Sequence, residues 1–321
     1  MKEERNFKEI VAESRYVFVI AVAGDSGSGK TTFTRSVRHI FGDDLVSTIT
    51  LDDYHIYDRK ERERQNITPL SPAANDLARL EHDVEVLRQG DPVQKMRYNH
   101  EKGTIEGPFR FMPAKILILE GLHPIATPRL RELVDFSVYV DPAPDVKREW
   151  KLKRDIENRG YSEREVTLEM ARRESDYQNY VAPQRELADS VISIEFSRFG
   201  REIGWLKNIY RISLSQTCRE GVTAAVDLVI PLGGLFSQCD RNFLFKYGSG
   251  EKNGKKTGTL SIDGELSGEM MQGLLKTISR ETGIEYTVPQ TPDKIYTATD
   301  FFQMFLSWKI IDARMAIEER R

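Results

Sequence analysis

The sequence predicts an α/β fold: a doubly wound, mostly parallel sheet, followed by a smaller C-terminal α+β region with antiparallel strands. Three observations predict it. Apolar, β-branched segments alternate with helical patterns over roughly the first 200 residues. The first such segment runs directly into a glycine-rich turn and a helix. Beyond about residue 199, short strand candidates recur between Gly-, Asn- and Lys-rich turns.

The elements follow in order. Tyr16–Ala23 (YVFVIAVA) is apolar without alternation, as in a strand buried on both faces. Lys30 to about Phe41 reads as a helix and Leu45–Leu51 as a second strand. Helical patterns occupy Ala74–Gln89, Arg129–Leu133 and Ala143–Asn158, and strands Ala114–Glu120 and Phe136–Asp141 lie between them. The charged stretch Ser162–Tyr180 reads as helix and Asp189–Phe196 as strand. The later strand candidates are Tyr210–Leu214, Asp227–Pro231, Asn242–Tyr247 and Thr259–Ile262, with Gly248–Gly258 as a turn. Asp300, with Gln303 three residues on, is expected to cap a last helix from about Phe301 to Glu319. The expected division is an N-terminal extension (1–15), a core (16–199) with a lid at about 160–184, and a C-terminal strand-rich region (200–321).

Composition narrows the function classes. The 47 basic residues nearly cancel the 50 acidic ones, for a net charge of −3, so no overall basic field favours nucleic acid. The two cysteines, Cys218 and Cys239, rule out a disulfide scaffold and any Cys/His zinc spacing. The longest apolar run, Val17–Ala23, is far short of a membrane span. The opening MKEERNFKEI lacks the apolar core of a signal peptide. No nucleic-acid partner and no membrane are expected, and the compartment expected is the cytosol.

The chemistry starts at Gly24-Asp25-Ser26-Gly27-Ser28-Gly29-Lys30-Thr31, which fits G-x-x-x-x-G-K-[ST]; Thr32 follows. Glycines let backbone N–H groups curl around phosphate oxygens, the lysine reaches the β- and γ-phosphates, and the threonine hydroxyl suits Mg²⁺. Without its flanks this would be only a tight turn capping a helix; between a strand and a helix it reads as a nucleoside triphosphate site. Asp52 follows the second strand, where ligands of open α/β sheets sit. A carboxylate there can accept a proton from an attacking hydroxyl or help hold Mg²⁺, though an acid at this point can also merely cap the next segment. Glu120 ends the third predicted strand and suits a Walker-B-like place on the metal's water shell. Thr31, Glu120 and Asp52 are thus the candidate metal residues.

A basic cluster completes the pattern. Lys151, Arg154, Arg159, Arg172 and Arg173 punctuate a charged stretch, and Arg59, Arg62 and Arg64 follow Asp52. Lys151 and Arg154, three apart, share a helix face. Alone, such a run is more often a solvated surface. The order of the parts favours phosphate recognition by forked guanidinium groups.

Together these stretches resemble the phosphoribulokinase/uridine kinase family of P-loop kinases. The residues that carry the resemblance are GDSGSGKTT (24–32), TLDDYHIYDR (50–59), RYNHEKG (97–103), ILILEGLHP (116–124), WKLKRDIENRG (150–160) and ARRESDYQNYVAPQ (171–184). LFKYG (244–248), TLSIDGE (259–265) and FFQMFLSWKI (301–310) continue it more loosely. The resemblance implies ATP- and Mg²⁺-dependent phosphorylation of the C1 hydroxyl of D-ribulose 5-phosphate, with Asp52 as general base and Lys30 and Glu120 as its catalytic companions. It implies ATP contacts from residues 24–32, Arg172 and Arg173. Asp52, His55, Arg59, Tyr98, His100, Lys151, Arg154, Asp155 and Arg159 match substrate-side positions, and a homodimer is implied as well. Photosynthetic members carry regulatory cysteines where Ser28 and Thr50 stand here, so a thiol switch at this site is not expected. The alternatives are a uridine kinase or other small-metabolite kinase of the same family, and a nucleotide-binding switch without turnover.

Overall fold

The structure is a computed structural model that describes residues 6–203, 206–207, 209–217, 242–252, 254–283, 295–318 and 320. The strand expected at Asp227–Pro231 and both cysteines lie outside the described residues. The chain forms two compact units, one of them Arg15–Thr34 with Asp44–Asp189. The other takes in the short helix α1 (Phe7–Glu13), Arg35–Asp43 and the chain from Ser190 onward.

The first unit is built on four parallel strands. They are β1 (Phe18–Ala23), β2 (Val46–Thr50), β5 (Ile116–Gly121) and β6 (Phe136–Pro142), in spatial order β6-β1-β5-β2. Every residue of β1 and β5 is buried, which is why their sequences run apolar rather than alternating. Helix α2 (Lys30–Phe41) follows the glycine-rich turn, and a short 3₁₀ turn, Leu51–Tyr54, follows β2. Helices α3 (Arg59–Gln65) and α4 (Leu77–Arg88) come next; Asp58 caps α3 through a reciprocal bond with Glu61. One sheet face packs against α4 and α5 (Pro128–Leu133) through Val19, Ile49, Leu117, Leu119, Leu80, Val84 and Leu130. Helix α6 (Pro144–Arg159) ends at Gly160 in the left-handed conformation, and α7 (Glu163–Asp176) begins three residues later under a Ser162–Glu165 capping box. A π turn, Tyr177–Val181, and α8 (Gln184–Leu187) close the unit.

Three sequence expectations change here. No strand was expected between Gln89 and Ala114, yet β3 (Val93–Asn99) and β4 (Thr104–Phe111) form an antiparallel hairpin. Its residues are mostly exposed and polar, so it lacks the apolar run that signals a core strand. Gly248–Gly258 is no open turn, because two strands extend through most of it and pair antiparallel as far as Lys252 and Lys255. The last helix starts at Ala298 rather than Phe301. Asp300 lies in its first turn and reaches back to accept bonds from the Thr297 amide and hydroxyl, both at 2.8 Å.

In the second unit, β7 (Ser190–Phe196), β10 (Tyr210–Thr217), β12 (Lys255–Leu266) and β11 (Phe243–Lys252) pair antiparallel in that order. Short pieces β8 (Glu202–Ile203) and β9 (Leu206–Lys207) pair with each other, and β13 (Tyr296–Thr297) with the end of β12. Ile212, Leu214 and Ile262 are buried on this sheet, while Ser213–Ser261 (2.8 Å) and Ser215–Thr259 (2.9 Å) form hydroxyl pairs. The long final helix α10 (Ala298–Glu318) packs on β10 and β12 and against α9 (Gly268–Thr282).

Candidate active site

The site lies in the first unit, at the carboxyl end of its parallel strands. The turn after β1 holds Gly24, Gly27 and Gly29 at φ 150°, 80° and 89°. Two of these admit no side chain: a Cβ on Gly24 would meet the Val140 carbonyl oxygen at 2.6 Å, and one on Gly29 would meet the Trp150 ring at 2.8 Å. The Lys30 amine, buried, donates to the carbonyls of Gly24 (3.0 Å) and Asp25 (2.7 Å). Burial lowers its pKa below the ordinary lysine value, against the pull of Glu120 and Asp25.

Glu120, at the end of β5, faces the start of α2. Its Oε1 accepts from Thr31 Oγ1 (2.6 Å) and its Oε2 from Thr34 Oγ1 (2.7 Å). A hydroxyl and a carboxylate beside a phosphate loop suit Mg²⁺, which takes few protein oxygens and completes its shell with water and phosphate. Among the described residues no group of three or more His, Cys, Asp or Glu forms an all-protein metal cage.

Asp52 stands in the 3₁₀ turn after β2. His55 Nε2 lies 3.7 Å from its Oδ1 and His100 Nε2 lies 3.4 Å from its Oδ2. Burial alone would raise this carboxyl, but His55, His100, Lys30 and Arg62 outweigh it and hold the group below the usual carboxylate range. It is therefore ionised at neutral pH and able to accept a proton. Burial in turn depresses both histidines, against the pull of Asp52. His100 comes from the turn of the β3–β4 hairpin, which Asp53 fastens in place. Asp53 accepts from the Tyr98 amide (2.8 Å) and forms an ion pair with Lys95. Tyr98 packs edge-on to both His55 and His100 and accepts from Arg62 (2.8 Å). Arg59 donates to the His100 carbonyl at 2.5 Å.

Asp155 organises the basic cluster. Its Oδ1 accepts from Arg154 Nε (2.8 Å) and lies 3.2 Å from Arg159, and its Oδ2 lies 3.3 Å from the Lys151 amine. Burial and the charges of Arg173 and Arg154 push Lys151 down to about 8, with Asp155 opposing. Burial works against Asp155, but its hydrogen bond from Arg154 and the charges of Lys151 and Arg159 hold it low. Arg154 also reaches Ser26 Oγ in the phosphate loop (3.3 Å). On α7, Arg172 donates to Asn66 Oδ1 (3.0 Å) and Arg173 pairs with Glu169.

With the exceptions of Gly24, Asp25 and Arg64, every residue expected at the site lines one cavity of about 1130 Å³. Asp25 turns instead to Lys147 (2.9 Å) and to the Ser26 amide (2.6 Å), which braces the loop from behind. Sequence reading missed Thr34, Asn75 and the Asp53–Lys95 fastening. Thr34, Asn75 and Lys95 belong to no motif, and only tertiary pairing reveals them. Arg62 did stand in the basic run, but nothing there showed that it would be buried against Tyr98.

A parallel sheet, a phosphate loop between its first strand and a helix, and a strand-end acid bonded to the loop threonine define a P-loop nucleotide-binding α/β protein. The chain belongs to the Phosphoribulokinase / Uridine kinase family, whose model matches residues 19–196. It is 40% identical over 178 residues to the phosphoribulokinase of Synechocystis sp., a match covering 56% of this chain and 54% of that one. A chloroplastic phosphoribulokinase of Arabidopsis thaliana is 37% identical over 207 residues, covering 59% and 52%. A uridine kinase of Clostridium perfringens is 30% identical over 179 residues, covering 54% of this chain and 85% of that one. The matched stretch thus spans about half the length of those phosphoribulokinases. The solved phosphoribulokinase from Rhodobacter spheroides shares the fold, with TM-score 0.52 and 18% identity over 84% of this chain and all of that one. Among the described residues no helix is long and apolar enough to cross a membrane.

Proposed function

We propose that this protein is a phosphoribulokinase, transferring the γ-phosphoryl of ATP to the C1 hydroxyl of D-ribulose 5-phosphate. The observation that carries the reading is that the cavity containing Asp52 holds a group of cations besides the phosphate-loop lysine. Lys30 is bonded to the phosphate-loop carbonyls, while Lys151, Arg154 and Arg159 form a separate group on Asp155. Arg59 and Arg159 gather near His100, whose ring is 3.4 Å from Asp52. An acceptor that already bears a phosphate needs a cationic anchor besides the one that holds ATP, and the second group supplies it.

In this reading the backbone amides of residues 26–31 and Lys30 hold the nucleotide phosphates, and Arg172 and Arg173 approach them from α7. Asp52, ionised, accepts the proton of the attacking hydroxyl. Phosphoryl transfer asks for alignment and charge neutralisation more than covalent help, and the cations supply both. Thr31 and Glu120, with Asp52, are the residues that would hold Mg²⁺, which when bound would supply neutralisation of charge on the transferred phosphoryl. The phosphoribulokinase relatives favour this substrate, and the uridine kinase relatives make uridine the rival.

ADP release with Mg-ATP, measured against ribulose 5-phosphate, uridine and no acceptor, tests the proposal. Turnover with ribulose 5-phosphate alone supports it. Turnover with uridine alone keeps the base and overturns the acceptor. Tight ATP binding with neither turnover moves the reading to a nucleotide switch. A cytoplasmic homodimer is proposed with it, and sedimentation showing only a 37 kDa species would refute the dimer.

A further inference from the structure

The ring of His55 is held by two residues, Asn75 and Tyr98. Backbone pairing places Asn75 opposite it: the two residues form an isolated antiparallel bridge, flanked by Ile56 N to Ala74 O (2.9 Å) and Asp76 N to Tyr54 O (2.8 Å). Tyr98 meets the imidazole edge-on, with centroids 5.1 Å apart. Asn75 Oδ1 lies 2.8 Å from His55 Nδ1.

The orientation of the Asn75 amide follows from its other partners. Its Nδ2 donates to the carbonyls of Pro69 (3.0 Å) and Ser71 (2.8 Å). Both are pure acceptors, so a flipped amide would turn its oxygen onto two oxygens and lose both bonds. Asn75 Oδ1 therefore faces His55, and it too is an acceptor, so the proton between them must sit on Nδ1. In a neutral imidazole the remaining nitrogen, Nε2, then carries a lone pair. Nε2 faces Asp52 Oδ1 at 3.7 Å, too far for a hydrogen bond and with an acceptor at each end. Between Asp52 and His55 the cavity thus offers two adjacent acceptors and no donor.

We propose that Asn75 is a positioning residue that holds His55 as its Nδ1–H tautomer, so that Nε2 accepts a hydrogen bond from a second hydroxyl of the acceptor substrate while Asp52 takes the proton of the reacting one. The clause about the substrate rests on the function proposed above; the tautomer does not. The ligand chemistry is a polyol with a free hydroxyl near the one phosphorylated. Neutrality of His55 agrees with its setting: burial, Arg62 and His100 disfavour the cation and outweigh Asp52 and the bond to Asn75, which favour it.

Long-range proton–nitrogen spectra of the ¹⁵N-histidine protein at neutral pH test the assignment directly. The chain has 5 histidines, and loss of one spin system in His55→Gln identifies the signal. The expected result is a protonated Nδ1 and a bare Nε2 for His55, the less common tautomer of free imidazole side chains. A protonated Nε2 with a bare Nδ1, or an imidazolium, in the unsubstituted protein would overturn the proposal, whatever any variant does. Asn75→Leu, with folding checked by thermal melting, is expected to move the proton to Nε2 and to raise the acceptor KM about tenfold, as for one lost hydrogen bond, leaving the ATP KM unchanged. An unchanged tautomer in folded Asn75→Leu would also overturn it. Activity with no acceptor at all would sink the kinase reading while the spectra still decide the role of Asn75.

Discussion

Asp155→Asn is the most informative single perturbation of the cluster. The carboxylate is nearly buried, with a side chain 7% exposed, and holds Lys151, Arg154 and Arg159 at 3.3, 2.8 and 3.2 Å. Asparagine keeps the size and one acceptor oxygen, but it removes the negative charge and turns an N–H₂ group toward one of the cations. Removing one partner of a buried ion pair costs about 3–5 kcal/mol. Lys151 is buried, whereas Arg154 and Arg159 are about a third exposed and remain partly hydrated, which points to the lower end, about 3 kcal/mol. At about 2–4 °C per kcal/mol, the melting temperature should fall by roughly 6–12 °C. The same three cations now repel one another, so inorganic phosphate should restore more stability to the variant than to the parent. The assay is thermal melting across a phosphate titration, paired with the KM for the sugar phosphate, which should rise. A melting temperature within about 1 °C of the parent's, less than the shift of about 2–4 °C expected for even 1 kcal/mol, together with an unchanged KM, would refute the view that Asp155 organises the anion site.

Four further outcomes are expected. Asp52→Asn should keep ATP binding, measured by calorimetry, and lose about two to four orders of magnitude in kcat, as for a lost general base; near-normal turnover would exclude that role. Lys151, pushed down to about 8, is a cation only below that pH, so the sugar-phosphate KM of the free enzyme should climb as pH rises through about 8; Lys151→Arg should flatten that limb in a KM–pH profile. Arg59→Ala should raise the KM for the sugar phosphate and leave that for ATP nearly unchanged, because Arg59 supports the His100 turn rather than the phosphate loop. Gly29→Ala should abolish nucleotide binding in an equilibrium titration, since its Cβ would strike Trp150 in a left-handed backbone conformation.

The nucleotide end of the site was legible in the sequence because its chemistry is local. Eight consecutive residues form the phosphate loop, and the apolar run of β1 that launches it is forced by burial on both faces. Glu120 could be placed for the same reason, as the polar end of another fully apolar strand. The acceptor end was legible only through family resemblance, because its parts are distant in the chain. Asp52 meets His100 only when a polar, exposed hairpin folds back, and no hydrophobic period marks that hairpin. Asp53, next to Asp52 in the chain, fastens the hairpin through Tyr98 and Lys95. Asn75 had no motif at all; its meaning lies in a bridge to His55 across twenty residues, which only the fold brings within 2.8 Å. Sequence by itself determined the sheet, the phosphate loop and the residues that bear charge, because burial and backbone freedom act within short windows. Tertiary structure alone decided which acid each cation serves and which nitrogen of His55 carries the proton, because hydrogen bonds between distant segments exist only once the chain has closed.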